Sequence, residues 1–221
     1  KELTHTALLN YLLSRGINPN LAKSQCKEIH YTSNGKKYFA IGFKNNGSGY
    51  ELRNPYFKGC IAPKAITTIT NNKPTCHVFE GFIDYLSYFT LHGSCDAVVL
   101  NSIVNIPHAL PVLATYSHVV CHLDNDAAVR SATKQMMEVL DNKCIDAANE
   151  YEGYKDLNEY LTSKSEAPTT WKKEDGKARS IARYAVVLQS LRSFHPPTFS
   201  HTPWQSHDVA TRRLASSNLF I

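Results

Sequence analysis

Two pairs of acidic residues stand at positions where the sequence could perform metal chemistry. Glu80 and Asp84 follow one apolar run of the chain, and Asp124 and Asp126 follow another. In a domain of alternating strands and helices, such acids lie at the carboxyl edge of parallel strands, where ligands bind. Two unpaired carboxylates about 4 Å apart repel each other by roughly 4 kcal/mol at an effective dielectric constant near 20. A hard cation such as Mg²⁺, which prefers oxygen ligands, is therefore the expected neighbour.

The spacing within each pair allows its two carboxylates to converge. Asp84 lies one helical turn after Glu80, and Gly81 permits close approach of the backbone between them. Asp124 and Asp126 are separated by one residue, and a turn at the end of a strand lets both face one ion. The alternative for Asp84 and Asp126 is that each is an acid at the start of a helix, where it complements the helix dipole.

The elements that must position these acids alternate between strands and helices after Pro74. Apolar runs predict strands near residues 76–80, 96–101, 117–123 and 143–148. Apolar residues at helical spacing predict crossover helices at 82–92, 107–116 and 127–141. Asp156 stands near the start of a last short helix. The alternation is typical of an α/β fold in which a parallel sheet has helices on both faces.

The first 70 residues predict a small α+β lobe of a different design. Leucines at helical spacing predict a helix at 6–15, and Asn18-Pro19 predicts the start of a second helix. Short alternating runs and turn residues from 28 to 53 predict an antiparallel meander. We therefore expect a lobe at 1–70, a sheet domain at 71–162, and a third part at 163–221. That third part combines one helical stretch at 177–192 with a poorly ordered tail from residue 195.

The net charge of the chain is weakly positive. The sequence has 24 Lys and Arg residues against 19 Asp and Glu residues, giving a formal charge of +5. A mildly basic protein with an acidic centre suits a polyanionic partner whose charge is bridged by metal ions. Ordinary solubility is the alternative explanation for a charge of this size.

The six cysteines are dispersed and predict neither a disulfide framework nor a zinc site in this chain. No C-x-x-C motif and no Cys/His grouping at zinc spacing occurs. We interpret all six as reduced and structural, and His77 and His122, within apolar runs, as structural too. The sequence has no apolar run of membrane-spanning length and no signal-peptide pattern. We expect a cytoplasmic protein without membrane contact, and Lys1 in place of Met suggests a fragment that lacks an upstream domain.

The acidic motifs closely resemble those of the Toprim domain. Residues 80–84 match its E-G-[YF]-x-D motif, and residues 124–128 resemble its D-x-D-x-A-G motif. Residues 101–103 match the loop after the next strand, and residues 154–158 resemble the closing K-D-x-[ND] motif. The resemblance covers residues 6–162. It points to the version in bacterial-type DNA primases, particularly the zinc-finger and Toprim primase-like proteins of Bacteroides mobile elements.

This resemblance implies a role for each acid. Glu80 would be the catalytic general acid/base, and Asp124 and Asp126 would be the metal pair that holds one or two Mg²⁺ (or Mn²⁺) ions. Asp84 and Asp156 would support the metals directly or through water. Phosphoryl transfer depends on charge neutralisation and in-line alignment, which an acid cluster with two metals supplies.

The resemblance also implies a binding role for the first lobe. Its segment from residue 49 to 59 is similar to the primase segment that supplies a basic ridge for template and nucleotide. Arg53, Lys58 and Lys64 would then contact phosphates of nucleic acid or nucleotide. As isolated cations on a loop, the same residues would instead be solvated surface.

The function that follows is a DNA primase-like catalytic core. It would use Mg²⁺ to transfer nucleotides into RNA primers on single-stranded DNA from nucleoside triphosphates, in replication or transfer of a mobile element, with a replicative helicase as a further partner. The alternatives are a Toprim nuclease, or a non-catalytic Toprim module that binds nucleic acid or nucleotide in a mobilisation protein. Val129 stands in place of a family glycine and Asn158 in place of a second acid. No zinc-binding cluster precedes the catalytic unit, although primases generally carry one.

Overall fold

The computed structural model describes residues 1–165 of the 221-residue chain. The chain begins with two short helices, α1 (Thr6–Ser14) and α2 (Pro19–Gln25). The side chain of Asn18 caps α2 by accepting a hydrogen bond from the backbone N–H of Asn20, and Pro19 occupies the first turn. Both predicted helices are therefore present, and the second begins where its capping pattern indicates.

A four-stranded antiparallel sheet follows, with its strands in chain order. The strands are β1 (Cys26–Ser33), β2 (Lys36–Lys44), β3 (Tyr50–Asn54) and β4 (Phe57–Ile61). Asn34 and Gly35 both have positive φ, at 49° and 73°, as a two-residue hairpin turn requires. The meander is as predicted, and β4 extends it by a strand that the sequence pattern did not indicate.

The second sheet has five strands in the order β5-β7-β6-β8-β9. These strands are β5 (Thr67–Ile69), β6 (Thr75–Phe79), β7 (Asp96–Val99), β8 (His118–His122) and β9 (Cys144–Asp146). All neighbouring pairs are parallel except β5 with β7. The predicted α/β fold with a small preceding lobe is confirmed, with one antiparallel edge strand added. β5 already belongs to the second sheet although it lies before the predicted boundary at residue 70.

Helices cover both faces of the second sheet. They are α3 (Phe82–His92), α4 (Ile106–Leu113), α5 (Ala127–Leu140) and α6 (Leu157–Ser165). One apolar core joins α3 and α6 to α1 and to the inner side of the first sheet, and a second core lies under α4 and α5. The alternation of side chains along β7 explains this division, because Val99 enters the first core and Val98 the second. Burial on both faces is what makes these strands continuously apolar.

All six cysteines are free, and only Cys60 among them is not fully buried. Within residues 1–165, no helix is long and apolar enough to cross a membrane. The predicted helical stretch at 177–192 and the tail from 195 lie outside the described residues.

Candidate active site

An acidic cleft of about 230 Å³ lies where the first sheet meets the carboxyl edge of the second. Four of the five predicted acids line it: Glu80, Asp84, Asp124 and Asp156. Its cationic lining residues are Arg15, Arg53, Lys58 and Lys155. The cleft therefore places acids from the second sheet opposite cations that come mostly from the first lobe.

Glu80 directly follows β6 and is half-buried at the floor of the cleft. Its Oε2 atom is buried and has no hydrogen-bond partner within the described residues. Burial raises the pKa of this carboxyl, Lys58 opposes the rise, and the charge of Asp126 adds to it. A raised pKa makes the ionised carboxylate a stronger proton acceptor than an ordinary glutamate, as a general base requires.

Asp84 lies in the first turn of α3 and is the most enclosed of the four predicted acids in the cleft, with 9% of its surface exposed. Its Oδ1 atom accepts a hydrogen bond of 3.2 Å from the backbone N–H of Asn158. Burial raises its pKa well above the usual range, and repulsion from Asp156 and Asp124 acts in the same direction. A buried carboxylate in this position needs a nearby positive charge when it ionises.

Asp124 follows β8 and lines the same cleft as Glu80, whose charge acts on it. Burial raises its pKa to about 7, with further contributions from Glu80 and Asp156, while Lys155 and Lys58 oppose the rise. A pKa this high makes ionisation of Asp124 at neutral pH costly unless a cation lies nearby. This mutual destabilisation of carboxylates is typical of a site that binds a cation.

Asp126 differs from the other acids because it is exposed and caps a helix. Its Oδ1 atom accepts a 3.0 Å hydrogen bond from the backbone N–H of Val129, at the first turn of α5. Asp126 does not line the cleft, although its charge contributes to the raised pKa of Glu80. The structure thus shows Asp126 in the helix-start arrangement, and its predicted pairing with Asp124 on one ion stays a prediction.

Asp156 combines a capping role with a place in the cleft. Its Oδ1 atom accepts a 2.7 Å hydrogen bond from the backbone N–H of Glu159 at the start of α6. Asn125 holds the segment before α6 against the end of β8. The backbone N–H of Asn125 donates a 2.7 Å hydrogen bond to the carbonyl of Lys155, and its side-chain amide donates one of 2.9 Å to the carbonyl of Tyr154. The same bonds therefore set the distance between Asp124 and Asp156.

The three predicted phosphate-binding cations fall into two groups. Arg53 and Lys58 stand opposite each other on β3 and β4 and both line the cleft. The guanidinium Nε of Arg53 donates a 3.0 Å hydrogen bond to the hydroxyl of Tyr11, which orients it. Lys64 is not part of the lining, and its Nζ atom lies 3.5 Å from Oε2 of Glu51 in an ion pair.

Two cations of the cleft were not among the predicted site residues. Lys155 belongs to the closing motif and its position beside Asp156 was a usable signal. Arg15 ends α1, and its buried Nε atom has no partner within the described residues. No local pattern marks Arg15, because only the packing of α1 on α3 and α6 brings it to the acids.

Asn158 and Val129 each have a structural explanation. The fully buried Asn158 side chain donates hydrogen bonds of 2.9 Å to the carbonyl of Arg15 and 2.8 Å to the hydroxyl of Ser87. A carboxylate could not donate either bond. Val129 is 3% exposed and packs in the core under α5, so its side chain occupies space that a glycine would leave empty.

The residues of the cleft fit a hard cation by their chemistry. Their free oxygen donors are mostly carboxylates, as Mg²⁺ prefers, and the buried atoms without a partner among the described residues include Oε2 of Glu80 and the amide Oδ1 of Asn101. Across residues 1–165, no three Asp, Glu, His or Cys side chains are grouped closely enough to hold an ion by themselves. Mg²⁺ is commonly bound through one or two carboxylates, with water and substrate phosphates completing its shell.

Comparison with family models divides the chain at nearly the same place as its two sheets. Residues 77–161 match the model of the Toprim-like family. Residues 1–62 match a model described as a domain of unknown function, DUF8464. No curated protein sequence matches the chain.

Three solved structures share the fold. The primase fragment of the bacteriophage T7 primase-helicase is 18% identical, with a TM-score of 0.54 over 77% of this chain and 71% of that one. A chain from a complex of T7 lagging-strand DNA polymerase with primase domains is 17% identical, with a TM-score of 0.50 over 74% and 86%. The zinc-binding and RNA polymerase domains of Aquifex aeolicus primase are 14% identical, with a TM-score of 0.54 over 85% and 56%. Residues 77–161 are therefore similar to the Toprim-like family, and the chain shares its fold with primase fragments.

Proposed function

We propose that this chain is the catalytic core of a primase-type nucleotidyltransferase. It would synthesise short RNA primers on single-stranded DNA from nucleoside triphosphates, in the presence of Mg²⁺ or Mn²⁺. The observation that carries the proposal is the cleft itself, in which Glu80, Asp84 and Asp124 face Arg53 and Lys58. Service to a mobile element and cooperation with a replicative helicase remain predictions from the sequence.

Each group of residues has a role that its position supports. Asp124, Asp84 and Asp156 would hold the metal, which when bound neutralises phosphate charge and helps to align the reacting groups. Arg53, Lys58 and Lys155 would bind the phosphates of the nucleotide and the template. Phosphoryl transfer of this type depends mainly on such positioning and charge stabilisation.

Glu80 would accept the proton of the attacking hydroxyl. The 3′-hydroxyl oxygen forms a bond to the α-phosphorus of the incoming nucleotide, and the bond from that phosphorus to pyrophosphate breaks. The raised pKa of Glu80 supports its role as the proton acceptor, because the carboxylate then binds a proton more tightly than an ordinary glutamate does. General base catalysis of this kind contributes about 10²–10⁴-fold to a rate.

The proposal is tested by primer synthesis on a single-stranded template with labelled nucleotides. Wild-type chain should make short RNA products, and Glu80→Gln and Asp124→Asn should each reduce the rate by about 100-fold or more. Glu138→Gln is the matched control, because Glu138 is exposed on α5 away from the cleft. Synthesis that persists in both cleft variants would refute the proposal.

The same reagents separate the alternatives. Labelled single-stranded DNA that is cut with Mg²⁺ or Mn²⁺ but without nucleotides would support a nuclease. Tight binding of Mg²⁺ and nucleotide without any turnover, even with a zinc-binding primase domain supplied, would support a non-catalytic module.

A further inference from the structure

One face of the first sheet is open and aromatic. The strand registers place alternate residues of the four strands on this face, including Tyr31 opposite Tyr38 and Asn54 opposite Phe57. Two glycines confirm the assignment, since a side chain at Gly42 would collide with Ile29, and one at Gly59 would collide with the ring of Phe57. The opposite face carries Ile41 and Phe43 into the core and Arg53 and Lys58 into the cleft.

Three aromatic rings form a continuous cluster across this open face. The rings of Tyr31 and Tyr38 lie 5.6 Å apart at 23°, and those of Tyr31 and Phe57 lie 6.0 Å apart at 35°. Tyr38 is 40% exposed and Phe57 is 43% exposed. Isolated exposed apolar residues are common on protein surfaces, but a contiguous cluster of exposed rings marks an interaction site.

The charges on this face have a single sign. Lys27, Lys36 and Lys44 share the face with the rings, and all three are exposed. By register, none of the positions that β1 to β4 contribute to this face is Asp or Glu. An acid-free surface with three lysines attracts a polyanion.

We propose that this aromatic face binds single-stranded nucleic acid. Exposed bases would stack on Tyr38 and Phe57, with Tyr31 between the two rings, while the lysines neutralise the phosphates. A four-stranded sheet that stacks bases on exposed aromatic side chains is a known solution for single strands, and lysines at its margin add salt-dependent affinity. A protein partner would use the rings but gain nothing from the lysines unless it were acidic, so the charge favours the nucleic acid.

The aromatic face is separate from the acidic cleft. Only the identification of the bound strand as the template rests on the proposed function. Binding of a single strand to the aromatic face needs neither divalent ions nor nucleotides. β4 is an edge strand with Phe57 on the aromatic face and Lys58 on the cleft side, so a template held on this face would reach the cleft by passing around that edge.

The test measures binding of a fluorescent single-stranded oligonucleotide to the full chain by anisotropy, with EDTA present. Tyr38→Leu with Phe57→Leu keeps apolar cover on the sheet but removes both exposed rings, and it should weaken binding by about tenfold or more. An oligomer of the same length with abasic sites should bind the wild type and this double variant equally. Val139→Ala is the matched control, because it removes an exposed apolar side chain on α5 and should leave affinity unchanged.

Wild-type affinity in the leucine double variant would overturn the proposal. Equal binding of abasic and normal strands by the wild type would also overturn it, because bases would then make no contact. The assay contains neither divalent ions nor nucleotides, so failure of the catalytic proposal leaves this result intact. If the double variant has lost its near-ultraviolet circular dichroism and is therefore misfolded, Lys36→Gln takes its place. The affinity of Lys36→Gln for the oligonucleotide should depend less on salt concentration than the affinity of Lys134→Gln, whose lysine lies on α5.

Discussion

The charge of Asp124 should cost the folded protein stability at neutral pH, and Mg²⁺ should restore it. The pKa of this carboxyl rises from an ordinary 3.8 to about 7 on folding. A pKa difference of about 3 corresponds to roughly 4 kcal/mol. Because the folded state binds the proton more tightly, the penalty is absent below about pH 4 and grows as the pH rises towards 7.

Asp124→Asn removes this charge and keeps the shape of the side chain. Solvent screening of the partly exposed Asp124 roughly halves the penalty of about 4 kcal/mol. The variant should resemble the wild type in stability at pH 4 and be more stable by about 2 kcal/mol at pH 7.5, a difference of roughly 5 °C in melting temperature. The difference between their free energies of unfolding reports the charge of Asp124 together with its repulsion of Asp84, whose pKa that charge raises. Urea denaturation across this pH range measures it.

Magnesium provides the second half of the test. Ions that bind the folded state alone stabilise it, so 10 mM Mg²⁺ should raise the stability of the wild type at pH 7.5 and have little effect on Asp124→Asn. Glu138→Gln should respond to the ion as the wild type does. A variant that is no more stable than the wild type at pH 7.5, or that gains equally from Mg²⁺, would refute the reasoning.

Two further predictions concern buried polar groups. Asn158→Asp should lower the free energy of unfolding by about 3 kcal/mol or more, because the carboxylate cannot donate the two hydrogen bonds to Arg15 and Ser87 and lies unpaired in the core. Urea denaturation measures this loss. A loss below about 1 kcal/mol would show that these two hydrogen bonds contribute little to stability. Burial, and secondarily the charge of His92, lowers the pKa of His77 to about 4 while its Nδ1 lies 2.9 Å from Nε2 of His122. His77 therefore contributes stability above about pH 6.5 that is lost on acidification towards pH 4, by up to about 1.4 kcal/mol per pH unit. His77→Gln should flatten the pH dependence of unfolding in that window, and an unchanged slope would show that this histidine is not neutral in the fold.

The second sheet could be predicted well because its strands are buried on both faces. An apolar run that ends in Glu80 or Asp124 marks both the strand and the edge at which the acid lies. β5 escaped notice because it is only three residues long, and β4 because Gly59 and Cys60 interrupt its apolar pattern. Neither strand has an alternation of apolar and polar residues long enough to distinguish it from a loop.

The residues of the cleft were only partly predictable for a related reason. A D-x-D pattern is compatible with a shared ion and with a helix cap, and only the hydrogen bond from Val129 shows that Asp126 is in the capping arrangement. Arg15 reaches the acids through tertiary packing, which no local pattern encodes. The aromatic face likewise depends on register across four strands, since Tyr31 and Phe57 are distant in sequence.

The bonds of Asn158 have a consequence for how the chain can be divided. One side chain ties the end of α1 to α3, its backbone N–H holds Asp84, and the same apolar core includes Leu12 and Phe43 of the first lobe. A shared core of this kind opposes hinge motion between the two sheets. The lobe and the Toprim-like domain then unfold as one cooperative unit, and a gene cut near residue 70 would yield two fragments that each expose half of a core.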